Sequence, residues 1–266
     1  MKIAIQLYSL RDEMVKDFEG TLKKVSEMGY EGVEFAGTLG QPPSEIKKLC
    51  DDLNLVPISA HIPFVDMMNN EGVLEYYKEI GCEYVVIPYL TEEYRPDGEK
   101  FGELIEGAKK LSKKAEELGL TLCYHNHDFE FVKIGQEYAL DYIYRQVPQL
   151  STQIDTCWST VAGVDTCKYL EKYTGRVKIV HLKDFTGTKS ENMYKLIGID
   201  DDKKQETDGN FEFRPLGMGT QNFPAIIEAS EKAGASWVVY EMDDPSMGKT
   251  PLECAKISID YLKTIM

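Results

Sequence analysis

One unit recurs along this chain: a charged amphipathic stretch that stops at Gly or Asn, followed within a few residues by a short β-rich run. Clear copies are Met28-Gly29-Tyr30-Glu31-Gly32-Val33-Glu34-Phe35, Ile80-Gly81-Cys82-Glu83-Tyr84-Val85-Val86-Ile87, Leu118-Gly119-Leu120-Thr121-Leu122-Cys123-Tyr124 and Ala233-Gly234-Ala235-Ser236-Trp237-Val238-Val239-Tyr240. Leu53-Asn54-Leu55-Val56 is the same device with Asn. The glycine takes the left-handed conformation at little cost, ends a helix and turns the chain toward a strand. Strands are expected near 3–8, 31–35, 56–61, 83–88, 120–125, 151–155, 176–182 and 236–241. Helical periodicity fills the gaps; in 102–118, Leu104, Ile105, Ala108, Leu111, Ala115 and Leu118 form one apolar face.

Strict alternation of strand and helix implies a parallel sheet with right-handed crossovers. Eight units in 266 residues fit a single (β/α)8 TIM barrel. An open doubly wound sheet is disfavoured, because no G-x-G-x-x-G loop follows the first strand. The gap between the last two strands is about twice the usual length, and its excess, 186–213, is expected to be an insertion on the catalytic face.

Composition excludes some partners. A formal net charge of −15 argues against nucleic acid, which needs a basic footprint. No apolar run is long enough to span a bilayer, and Met1-Lys2-Ile3-Ala4-Ile5 leads into a strand pattern rather than a signal peptide. The six cysteines are scattered with no C-x-x-C pair, which suits reduced thiols and a cytoplasmic protein. The aromatic content could furnish a homo-oligomer face, but nothing in the sequence locates one.

In such a barrel the chemistry sits where strands finish. The polar residues there are Gln6 and Tyr8, Glu34, His61, His125, Asn126, His127 and Glu130, Asp155 and Trp158, His181, Lys183 and Asp184, then Glu241 and Asp243. All four histidines of the chain are among them. A lone strand-end His is usually a hydrogen-bonded structural residue; four converging with carboxylates point to a mixed nitrogen and oxygen site for one divalent metal, Mn²⁺ or Co²⁺ favoured, with Zn²⁺ or Mg²⁺ also compatible.

These segments resemble the xylose-isomerase-like barrel superfamily of sugar phosphate isomerases and epimerases. The matching pieces run from Ile5-Gln6-Leu7-Tyr8-Ser9 through Ser59-Ala60-His61, Tyr124-His125-Asn126-His127-Asp128-Phe129-Glu130, Ile154-Asp155-Thr156-Cys157-Trp158 and His181-Leu182-Lys183-Asp184 to Val239-Tyr240-Glu241. The resemblance implies a metal held by Asp155, His181 and Glu241. In ketose epimerases the fourth ligand is a Glu near the end of the fifth strand. Here either His125 replaces it or Glu130 reaches back from the loop, and Glu130 is favoured. A second departure is Trp158, which stands where those enzymes carry a substrate-binding His.

The implied reaction removes a proton next to a carbonyl. Glu241 is a candidate for both ligand and base; His125, His127 or Glu130 would oppose it, with Lys183 at a developing oxyanion or paired with Asp184. Tyr8 and Trp158 are candidates for stacking on a sugar face or for packing at the barrel rim, and Glu34 and His61 for binding hydroxyls or for bonding to each other. The expected enzyme is a metal-dependent sugar isomerase or epimerase. A lyase acting on an inosose or 3-keto-glycoside is the alternative, and a non-catalytic sugar-binding barrel a further one. The expected partner is a sugar, inositol or keto-glycoside without phosphate. The endonuclease branch of the superfamily is excluded by too few histidines and the acidic charge.

Overall fold

A computed structural model of the protein describes residues 1–189 and 210–266. The strands β1 (Lys2–Gln6), β2 (Gly32–Phe35), β3 (Val56–His61), β4 (Tyr84–Ile87), β5 (Thr121–His125), β6 (Ser151–Asp155), β7 (Val177–Leu182) and β8 (Trp237–Tyr240) lie within a residue or two of their expected places. All neighbouring pairs are parallel, and β1 closes on β8 with Lys2 opposite Trp237. The result is a single (β/α)8 barrel.

The helix ends behave as the glycine argument requires. Asn54 and Gly81 take φ of 55° and 106° at the C-caps of Pro43–Leu53 and Val73–Ile80, and each chain then enters a strand. None of the described helices is long and apolar enough to cross a membrane.

Two apolar layers hold the barrel. Helices cover its outside in one large core, while Ala4, Ile58, Val86, Cys123, Ile179 and Val239 fill the lower interior. Side chains alternate along a strand, so residues two further on point inward one layer higher. Ala4 leads to Gln6, Cys123 to His125, Ile179 to His181 and Val239 to Glu241. The apolar plug thus positions a polar layer at the carboxyl end of the barrel.

Most of the insertion expected at 186–213, residues 190–209, lies outside the described residues. Its two ends pair as an antiparallel ribbon, Asp184–Thr186 with Glu212–Arg214, just beyond β7. Asp184 accepts backbone N–H groups from Phe185, Gly217, Gly219 and Gln221 at 2.8–3.2 Å, which fixes the return of the ribbon.

Candidate metal centre

His125, Asp155, His181 and Glu241, at the ends of β5, β6, β7 and β8, each offer one ligand atom, and these atoms lie within 4.8 Å of one another. All four side chains are buried. Above them opens a cavity of about 400 Å³ lined by Tyr8, His61, Tyr89, His127, Lys183 and Asp243 among others. A larger depression, about 520 Å³, lies at the opposite end of the barrel around Lys2, Glu83 and Trp237, far from the histidines.

Glu34 is the hub beneath the cluster. It accepts from Gln6 Nε2 at 2.8 Å, Ser59 Oγ at 2.5 Å, Gln153 Nε2 at 2.6 Å and His181 Nε2 at 2.7 Å, with His61 Nε2 at 3.0 Å. Burial opposes its charge, but the His61 and His181 imidazoles outweigh that and hold it well below the usual carboxylate range. An ionised carboxylate only accepts, so in the metal-free chain His181 donates from both ring nitrogens, Nε2 to Glu34 and Nδ1 to Glu241 Oε2 at 2.9 Å, and a metal held at Nδ1 would displace that proton. Burial again works against charge on His181, yet Glu34 and Glu241 raise it to about 10.

The same logic orients His125. Gln153 gives its NH2 to Glu34, so its carbonyl oxygen accepts from His125 Nδ1 at 3.1 Å. That leaves His125 Nε2 as a lone pair on the side of Asp155 Oδ2, 3.9 Å away. Burial, with His181 and His61, keeps His125 neutral by lowering it well below its ordinary value. Asp155 spends Oδ1 on the N–H of Trp158 at 2.9 Å, whereas its buried Oδ2 has no hydrogen-bond partner. A buried carboxylate oxygen without a donor is costly unless a cation meets it. Two imidazoles steadied by outer carboxylate and amide groups, plus two carboxylates, form a donor set that fits a divalent ion.

Lys183 sits beside this set. Its ammonium is 3.0 Å from Asp243 Oδ2, 3.1 Å from Glu241 Oε2 and 3.6 Å from Asp155 Oδ2. Burial works against that charge, but Asp243 and Glu241 hold Lys183 well above its usual range. Burial raises Glu241 too, but Lys183 and His181 bring it well below the carboxylate norm. For Asp243 burial prevails, at about 6. The ion-pair partner of Lys183 is therefore Asp243; Asp184 serves the ribbon.

Three expectations need correction. Glu130 does not join the ligands: its Oε1 accepts from the Tyr124 hydroxyl at 2.7 Å and its Oε2 from the His127 N–H at 2.8 Å, while His125 stands in the cluster. Trp158 does not face the cavity. Asp155 caps a short helix, Thr156–Val161, which carries the indole to a fully buried place against Phe211 at 6.3 Å and Phe213 at 6.1 Å, with the His127 ring 5.4 Å and the Lys183 ammonium 5.3 Å from its centroid. Glu34 is fully buried and does not line the cavity; its bond to His61 at 3.0 Å is the second of the two roles expected for that pair. Sequence reasoning missed Tyr89, which lines the cavity at the end of β4 where no charge drew notice.

The setting of Glu130 has a consequence for stability. Burial pushes its carboxyl up to about 8. An acid raised in the folded state binds more protons there than in the unfolded chain, so it costs stability as pH climbs from the unfolded value to about 8, and the cost is constant above. Glu130→Gln removes this ionisation. Relative to wild type, its unfolding free energy should gain progressively from pH 5 to 8, by an amount on the order of a few kcal/mol at most, read as a rising difference in melting temperature. Melting curves of both proteins across that range check it; a difference independent of pH would refute the assignment.

Residues 22–265 match the family model described as a xylose isomerase-like TIM barrel. Among curated proteins, an inosose dehydratase of Mesomycoplasma hyopneumoniae is 24% identical over 277 residues, covering 94% of this chain and 89% of that protein. A sugar phosphate isomerase/epimerase from Parabacteroides distasonis superposes with a TM-score of 0.77 at 20% identity, covering 98% of this chain and 93% of that one. The IOLI protein, solved with a zinc atom bound, superposes at 0.69 and 16% identity, covering 100% of this chain and 99% of that one.

Proposed function

Since the chain belongs to the xylose isomerase-like TIM barrel family, we propose that it is a metal-dependent lyase that acts by β-elimination on a cyclic keto-polyol, removing water from an inosose or the aglycone alcohol from a 3-keto-glycoside. The observation that carries this reading is the placement of His127 and Lys183 in one cavity over the ligand cluster. The name of the curated relative supports elimination over the isomerisation or epimerisation first expected.

His125, Asp155, His181 and Glu241 would hold the ion. Once bound, a divalent ion supplies Lewis acidity to the carbonyl oxygen of the substrate. The residues of the chain divide the remaining work. Glu241, expected as ligand and base together, is a weak base because Lys183 and His181 stabilise its charge. His127 lines the cavity and is held neutral by burial and then by the Lys183 charge, so its imidazole is in the unprotonated form that can accept a proton. It takes the hydrogen from the carbon beside the carbonyl. The carbon–oxygen bond at the β carbon then breaks, and the imidazolium returns that same proton to the departing oxygen, which leaves as water or as the aglycone alcohol. The Lys183 ammonium stabilises the negative charge that develops between these steps. Tyr8 and Tyr89 supply apolar walls for the ring carbons.

Incubation with an inosose and a 3-keto-glycoside in deuterium oxide, with Mn²⁺ or Co²⁺ added, separates the readings. Loss of one water from the inosose, or of the aglycone from the 3-keto-glycoside, is expected by mass spectrometry. Deuterium incorporation without either loss would identify an epimerase or isomerase instead.

A further inference from the structure

Building on the reading of His127 as the base, we propose that Glu130 is a positioning residue, whose carboxyl holds the His127 backbone so that the imidazole faces the cavity.

Strand geometry alone does not aim residue 127. Two residues apart on a strand, His125 and His127 would share a face, but β5 ends at His125 and the ladder with β6 ends there. Beyond it, side chains determine the path. Asn126 clasps the end of β6, accepting from the N–H of Asp155 at 3.0 Å and donating to its carbonyl at 3.3 Å. Glu130, on the turn Phe129–Phe131, reaches back: one oxygen takes the His127 N–H and the other meets the hydroxyl of Tyr124. Tyr124 is fixed on the outer face of β5, and its carbonyl accepts from the Tyr144 hydroxyl at 3.2 Å. One carboxyl therefore ties the loop to the strand on both sides of His125. The His127 ring that results lies parallel to Phe129, centroids 5.3 Å apart and planes 1° apart, and edge-on to Tyr89 at 5.2 Å.

The chemistry of the tie suggests its own control. The carboxyl is neutral near pH 7 because burial has raised it. The Gln oxygen can still take the His127 N–H, while its NH2 meets the Tyr124 hydroxyl oxygen, with the direction of that second bond reversed. Alanine leaves a buried N–H and a buried hydroxyl unsatisfied. A metal ligand would respond differently, since an amide is a poor substitute for a coordinating carboxylate.

The test uses both variants of the full chain. The protein has four histidines, so its imidazole proton resonances can be assigned by substitution. In wild type the His127 ring protons should be shifted upfield by the stacked Phe129 ring. Glu130→Gln should keep that shift in the metal-free protein, and Glu130→Ala should lose it. With metal and substrate, Glu130→Ala should lower kcat roughly 10- to 100-fold with KM changed little. Glu130→Gln should recover most of that loss, and both should bind the metal as wild type does. If Glu130→Ala fails to fold, Glu130→Leu takes its place in both measurements. An unchanged His127 resonance in the apolar variant, or metal loss in Glu130→Gln, overturns the proposal. The resonance does not depend on turnover, so an enzyme with no lyase activity but the expected shifts would refute the function and leave the positioning role standing.

Discussion

Glu241→Gln should lower turnover about a thousandfold and strip the protein of most of its metal. The reason is local. Glu241 Oε2 is shared by His181 Nδ1 and the Lys183 ammonium. An amide has one acceptor where the carboxylate has two, and no charge to balance either cation. Its NH2, turned toward Lys183 or His181, sets donor against donor. The site loses a ligand and keeps a fixed positive charge nearby, so the cation that should bind there is repelled. Metal content of the purified variant, and kcat at saturating metal, measure the two effects separately. Full metal occupancy with turnover within tenfold of wild type would show that Glu241 is neither ligand nor part of the reaction.

Removal of the metal is the second large effect. In the chain alone, the buried carboxyl groups of Glu34, Asp155, Glu241 and Asp243 are crowded together. Burial raises Asp155, and the proximity of Glu241 adds to that. The Lys183 ammonium, 3.6 Å from Asp155 Oδ2, offsets this only in part, and a divalent ion held by Asp155 would relieve the rest. Binding only to the folded state stabilises it by about 2.7 kcal/mol at a hundred times the dissociation constant, worth several degrees in melting temperature for a chain of this size. Chelation should abolish turnover and produce that drop, and Mn²⁺ or Co²⁺ should restore both. Asp155→Asn should show little shift with added metal. Identical melting with and without metal would mean that the cluster binds no ion.

How much of this was legible in the sequence depends on which residue is considered. Gly81 and Asn54 end helices by backbone geometry that hardly depends on distant contacts, so the strands came out close to their observed bounds. Period-two alternation then put His125, Asp155, His181 and Glu241 on one rim. Residues past the last ladder pair escape that rule. Trp158 reads as a rim aromatic until Asp155 is recognised as a helix cap, a signal present in Asp155-Thr156-Cys157-Trp158. Glu130 reads as a free carboxylate because its partner Tyr124 belongs to the outward face of the strand. Tyr89 carries no charge, and only the closed barrel reveals that it shares a cavity with His127.

The position of Glu34 divides the barrel in an uneven way. All four clustered ligands lie on β5 to β8, while the carboxylate that orients His181 comes from β2 and is itself held by Gln6 of β1 and Ser59 of β3. If the chain were cut between β4 and β5, the carboxyl-terminal fragment would own every ligand and still lack the group that fixes its central imidazole. Tight ion capture would then appear only when the two fragments are mixed, which makes metal uptake a direct reporter of fragment complementation.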